Sequence, residues 1–166
     1  GLGGYSNVMV FHSSDLPNGK GWAPIYYTFK QKLSYCTVTG FIANEGADDG
    51  DVVIKARFPI LSDYTAPILR KFTQRLILMM IGKVLSRFNG QAIKGAPQVG
   101  EGSFNRRRTL SENQVDLNQP LGELVAHLRG CEAEHPAYFF LGQTKYFIEI
   151  KPEIDPVFPK DIDIYF

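Results

Sequence analysis

Along residues 33–44, hydrophobic and polar positions divide by parity. Leu33, Tyr35, Thr37 and Thr39 share one face of an extended chain, and Ser34, Cys36, Val38 and Gly40 share the other. That alternation predicts a strand, with Gly40 marking a bulge or bend. An acidic turn at 45–50 and a returning strand at 51–58 complete a predicted hairpin. Upstream, residues 7–12 and 25–29 read as two further short strands. Between them, residues 13–24 form a loop carrying the turn formers Asp15, Pro17, Asn18, Gly19 and Gly21.

The period changes from residue 62. Ile68, Leu69, Phe72 and Leu76 fall on one helical face, while Arg70, Lys71, Gln74 and Arg75 fall away from it. Ser62 or Asp63 can cap this helix, and Pro67 suits its first turn. Continued as a helix, the segment places Lys83 among Leu69, Phe72, Leu76, Met79 and Met80, with Gly82 in its interior. A buried lysine and an interior glycine both cost stability. The preferred reading therefore ends the helix near Arg75 and runs a strand over 76–85, apolar on both parities. The alternative is one helix continuing to Gly90. Residues 89–116 are polar, contain four glycines, and read as a long loop that is either functional or mobile. Asp116 or Asn118 then caps a second helix, with Pro120 in its first turn, Leu121, Leu124, Val125 and Leu128 as its apolar face and Gly130 at its end. Residues 137–141 and 146–150 read as a hairpin.

Beyond residue 151, Pro152, Pro156 and Pro159 forbid a central strand, yet Val157, Phe158, Ile162, Ile164 and Phe166 argue against free disorder. The expected fold class is α+β: a mostly antiparallel sheet with two helices, a long polar loop and an extended C-terminal arm. One globular domain is expected over 1–151, with the arm at 152–166 docking on its own domain or on a neighbouring copy.

Composition adds bounds to this picture. The chain has 166 residues, 44% of them hydrophobic, which suits a single core. Its longest apolar run, residues 76–81, falls short of the roughly 18 residues of a membrane span. The opening Gly1-Leu2-Gly3-Gly4 has neither the basic nor the apolar region of a secretory leader. An intracellular (cytoplasmic or nuclear) or virion-associated setting is expected. The two cysteines, Cys36 and Cys131, read as reduced thiols, with Cys36 buried in a strand.

Charge is distributed unevenly. Residues 55–108 hold eleven basic side chains against two acids, net +9, and the remainder holds 7 basic against 15 acidic, net −8. A basic segment of this kind suits a polyanion. Arg106, Arg107 and Arg108 in the long loop suit phosphate contacts, and Phe104 beside them could stack on a base. Lys55 and Arg57 share a sheet face, and Arg70, Lys71 and Arg75 line a helix edge. The leading functional expectation is thus a non-enzymatic domain that binds nucleic acid, single-stranded DNA or RNA, through these nine residues, without a cofactor or metal. Two alternatives remain open. A coat, matrix or scaffold subunit would self-associate through the C-terminal arm as a homo-oligomer. The third expectation starts from Glu149-Ile150-Lys151, which resembles the Glu-x-Lys end of a class of metal-dependent nucleases whose core also carries Pro-Asp. That resemblance implies Glu149 on a metal and Lys151 orienting water, but the upstream aspartate is missing. His127, Cys131 and His135, spaced by four, would share a helical face, although Gly130 and Pro136 oppose one continuous helix.

Overall fold

The computed structural model describes residues 8–153 and 156–166. Asn7 of the first expected strand, the opening glycines and Ile154 of the expected arm lie outside the described residues. The central element is a four-stranded sheet in the order β1-β3-β4-β8. Its strands are β1 (Met9–His12), β3 (Tyr35–Ile42), β4 (Val52–Pro59) and β8 (Asp163–Tyr165), paired antiparallel throughout. The β3–β4 hairpin lies where the alternation placed it, and its register shifts at Gly40/Phe41. A Cβ on Gly40 would meet Met9, Phe11 and Ile54 side chains at under 3 Å, so only glycine lets β1 lie so close.

Helix α2 (Ala66–Arg87) covers one face of the sheet. Leu69, Phe72, Leu76 and Met80 meet Cys36, Val38, Ile54 and Phe58 in the main core. Phe58, Tyr64 and Phe72 pack edge to face there, as aromatic quadrupoles prefer. Helix α1 (Pro24–Lys30) wedges between α2 and a third helix, α3 (Leu121–Arg129). A smaller core of Val115, Leu128 and Ala137 joins α3 to the hairpin of β6 (Ala137–Leu141) and β7 (Thr144–Ile148). Two-residue strands β2 (Lys20–Gly21) and β5 (Phe104–Asn105) pair in parallel.

This corrects the predicted fold class. Among the described residues, three α-helices and three small sheets replace two helices on one mostly antiparallel sheet. Residues 25–29 are helical, not extended: Ile25, Tyr26, Tyr27, Thr28 and Phe29 are all buried because neighbours surround α1, which erases the helical period. Residues 76–85 continue α2 and are not a strand. Lys83 is exposed at the margin of the core face, so it has no burial to compensate, and Gly82 touches nothing that a Cβ would meet.

The long polar stretch is held at several points. Val52 and Ala96 exchange two backbone hydrogen bonds of 2.7 and 2.8 Å. A 3-10 turn at Leu110–Asn113 is closed by a capping box between Thr109 and Glu112. The C-terminal segment returns to its own sheet through β8, with Phe158, Ile162 and Ile164 packed on the main core.

Candidate active site

Strand β1 ends in His12, which pairs across the sheet with Thr39. Met9 and Phe11 pack on the main core. Alternation therefore turns His12 to the opposite face, away from α2. The loop after His12 folds back over that face. Leu16 is buried beneath it, its N–H donating to Thr39 Oγ1, and Thr39 Oγ1 donates to Ser14 O at 2.7 Å. Lys55 donates to Leu16 O (2.6 Å) and to Asp15 (2.5 Å), pinning the loop from β4. Gly19 and Gly21 both have positive φ, +73° and +90°, the left-handed backbone that glycine reaches without penalty.

Those glycines present main-chain groups to a half-buried pair. His12 Nε2 lies 2.9 Å from Gly19 O, and His12 Nδ1 lies 3.6 Å from Asp48 Oδ1. Gly21 N–H donates to Asp48 Oδ2 at 2.8 Å. Both side chains are largely shielded, 11% and 20% exposed. Asp48 itself sits at φ +53°, a conformation that costs a non-glycine residue about 1–2 kcal/mol. The turn that holds it is over-determined. Gln98 Nε2 donates to Asp48 O and Gly50 O, both at 2.9 Å, and a Cβ on Gly50 would lie 1.6 Å from Ile42 O. Lys20, buried, pairs with the neighbouring Asp49.

Both His12 nitrogens face oxygen acceptors, so a neutral ring donates to only one of them. With Nε2–H donating to Gly19 O, Nδ1 carries the lone pair. A proton arriving there is stabilised by Asp48. The 3.6 Å gap is longer than a hydrogen bond. The arrangement can take and return a proton next to a strained, glycine-lined loop. Sequence reading missed both residues. They are 36 positions apart, and no spacing rule joins a strand-end histidine to an aspartate in a hairpin turn.

The expected nucleic-acid contacts are placed differently from one another. Lys55 and Arg57 lie on the sheet face toward the His12 loop, with Arg57 on Asp163 at 3.0 Å and over the Tyr35 ring. Arg70, Lys71 and Arg75 lie on α2, across the sheet. Arg70 makes a two-pronged pair with Glu132, Arg75 stacks on Phe158, and Lys71 is exposed. Arg106 pairs with Glu112 at 3.3 Å, and Arg107 lies over Trp22. Arg108 is buried over Tyr26 and donates to Gly130 O and Cys131 Sγ. Phe104 is exposed on β5. The structure gathers no single surface from these nine.

Among the other candidates, Glu149 and Lys151 form an exposed pair at 3.5 Å. Cys131 meets Arg108, while His135 closes a turn with Glu132. Among the described residues no three of His, Cys, Asp and Glu converge as metal ligands would. No described helix is long and apolar enough to cross a membrane.

No protein-family model matches the chain. It is similar to methionyl-tRNA formyltransferase of Parvibaculum lavamentivorans, 28% identical over 141 residues, covering 84% of this chain and 46% of that protein. The Caulobacter vibrioides enzyme of the same name is 23% identical with the same coverage. The chain thus spans about half the length of the curated relatives it matches. Among solved structures, methionyl-tRNA formyltransferase from Clostridium thermocellum superposes with a TM-score of 0.74 at 19% identity, over 96% of this chain and 69% of that one. A sugar N-formyltransferase from a Shewanella species gives 0.73 at 18%, over 88% and 61%. HypX from Aquifex aeolicus in complex with tetrahydrofolic acid gives 0.75 at 18%, over 87% and 25%. The fold is that of formyltransferases, Rossmann-like in class, which completes the correction of the expected α+β arrangement. The likenesses also overturn the expected polyanion-binding, assembly-subunit and nuclease functions: the similar proteins are formyl-transferring enzymes.

Proposed function

We propose that this chain carries the proton-handling part of an enzyme that transfers a formyl group to an amine. The observation that carries the reading is the His12–Asp48 pair, held by the backbone of Gly19 and Gly21 in a fold shared with formyltransferases. An amine that attacks a formyl carbon must shed one N–H proton. His12 Nδ1 is placed to accept it, and Asp48 stabilises the imidazolium that results. The proton then returns to the nitrogen that loses the formyl group. Positioned proton transfer of this kind contributes about 100- to 10,000-fold to rate.

The similar proteins act on different amines, a methionyl-tRNA in some and a sugar in others. A folate bound to one of them suggests the class of formyl carrier. The described residues do not themselves enclose such a carrier. His12 lies on edge strand β1, and Val10 on the same face is more than a third exposed. An intracellular setting accompanies this reading, and a virion does not.

The test is formyl transfer from a formyl-folate to amine acceptors, comparing the protein that carries this chain with its His12→Ala and Asp48→Asn variants. Each variant is expected to lose about 100-fold or more while retaining its fold by circular dichroism. Undiminished transfer in both would sink the proposal.

A further inference from the structure

Helix α2 is apolar on two opposite faces. Leu69, Phe72, Leu76, Met80 and Val84 enter the main core. Leu78, Ile81, Leu85 and Phe88 instead meet solvent, 69%, 37%, 62% and 50% exposed. At about 100° per residue, the centre of this second stripe lies opposite the centre of the core face. A helix that is apolar all round is a buried helix. The tail does not bury this one from outside, because β8 holds it on β4 and Phe158 packs on the main core. The four exposed side chains present roughly 450 Å² of apolar surface, within the ~300–600 Å² of the largest patch on a typical monomer, which is often functional.

The spacing of the stripe narrows the occupant. Its steps of three, four and three residues are those of a coiled-coil seam, which packs at a crossing angle near 20°. The steps are also the same read backwards, symmetric about position 83. A second α2 laid antiparallel therefore sets Leu78 against Phe88 of the other copy, and Ile81 against Leu85, in both directions, as a two-fold interface requires. Charge agrees with this pairing. Helix α2 carries cations and no acid, but Lys83 and Arg87 fall on helical positions opposite the stripe. Lys71 and Arg75 precede it and stay beyond the seam in an antiparallel crossing, whereas a parallel one sets Lys71 against its own copy. A lipid surface suits cations that flank an apolar stripe, and these do not. Area agrees as well. A standard interface buries about 800 Å² on each side and is about 56–65% apolar, so the stripe supplies its apolar part.

We propose that the outer face of α2 is a self-association surface, on which two copies of this chain pair antiparallel about a two-fold axis through Leu78, Ile81, Leu85 and Phe88. The pairing does not rest on the formyl-transfer reading. Because α2 covers the sheet face opposite His12, the dimer leaves both His12–Asp48 pairs open.

The test is sedimentation equilibrium of the protein at micromolar concentrations, where it is expected at twice its chain mass. Leu85→Glu places two buried charges in a two-fold interface and is expected to raise the dissociation constant about 100-fold or more, with an unaltered circular dichroism spectrum. Leu78→Glu is expected to act alike, and decides the matter if Leu85→Glu misfolds. The antiparallel register has its own check. Leu78→Glu/Phe88→Glu and Leu78→Lys/Phe88→Lys are each expected at single-chain mass, and their mixture at twice that mass, because position 78 of one copy faces position 88 of the other. A parent at single-chain mass overturns the proposal, as does a dimer that survives both single substitutions. Failure of the two charge variants to associate on mixing overturns the antiparallel pairing. A parent that stays single and binds phosphatidylserine vesicles assigns the stripe to a membrane instead, and overturns it too.

Discussion

Glu112 shows how single residues organise the charge of this chain. Its carboxylate accepts from Lys30 at 2.5 Å and from the Thr109 N–H at 2.9 Å, with Arg106 at 3.3 Å. Burial alone would raise its pKa, but the Lys30 and Thr109 hydrogen bonds and the charges of Lys30 and Arg106 outweigh it and hold the group at about 2. A depressed carboxylate contributes stability that is present above its unfolded-state value and lost as pH falls through the folded value. Stability is therefore expected to decline from the ordinary carboxylate range down to about pH 2, and Glu112→Gln is expected to flatten that slope. Urea midpoints measured across the range check this; equal slopes in the two proteins would refute it. Cys36 behaves in the opposite sense, its thiol pushed up to about 12 by burial in β3, as expected of a cysteine on the inward parity of a strand. At this scale the sequence was informative about burial and silent about His12, whose role needs an aspartate brought from another turn.

At the scale of elements, α2 was the hardest to read, because Lys83 and Gly82 looked like breaks in it. In the structure neither does harm. Lys83 is solvated, and a methyl group at Gly82 would meet nothing within 4 Å. Gly82→Ala is expected to stabilise the protein by up to about 1 kcal/mol through helix propensity alone, seen as a higher midpoint in chemical denaturation. A lower midpoint would mean that the glycine serves a contact outside this chain. The β3–β4 hairpin was legible because one of its faces is buried and the other faces a loop, which preserves the period of two. Helix α1 was not, since burial on all sides leaves no polar stripe to count.

The whole molecule settles what its charge halves do. Four acids outside the basic segment, Asp15, Glu112, Glu132 and Asp163, reach into it and pair with Lys55, Arg106, Arg70 and Arg57. Much of the remaining cationic surface lies over aromatic rings, as with Arg75 on Phe158 and Arg87 on Phe166. The tail also packs against the main core through Phe158, Ile162 and Ile164. Phe158 lies 5.4 Å from the Phe72 ring and 6.5 Å from that of Phe58. Because the ring is only partly buried, Phe158→Ala is expected to cost about 2–3 kcal/mol, below the usual ~3–5 for a core phenylalanine. Denaturant midpoints would show it, and an unchanged midpoint would mean that the tail does not anchor the sheet.

Sequence by itself determined the elements whose burial is one-sided: the β3–β4 hairpin, the first turns of α2 and the inward Cys36. Alternation and helical period are local, and they survive any arrangement that buries one face. Tertiary structure alone decided the continuity of α2, the helical state of α1, the pairing of opposed charges and the meeting of His12 with Asp48. Each of these depends on distance through space between residues far apart along the chain, which no local pattern records.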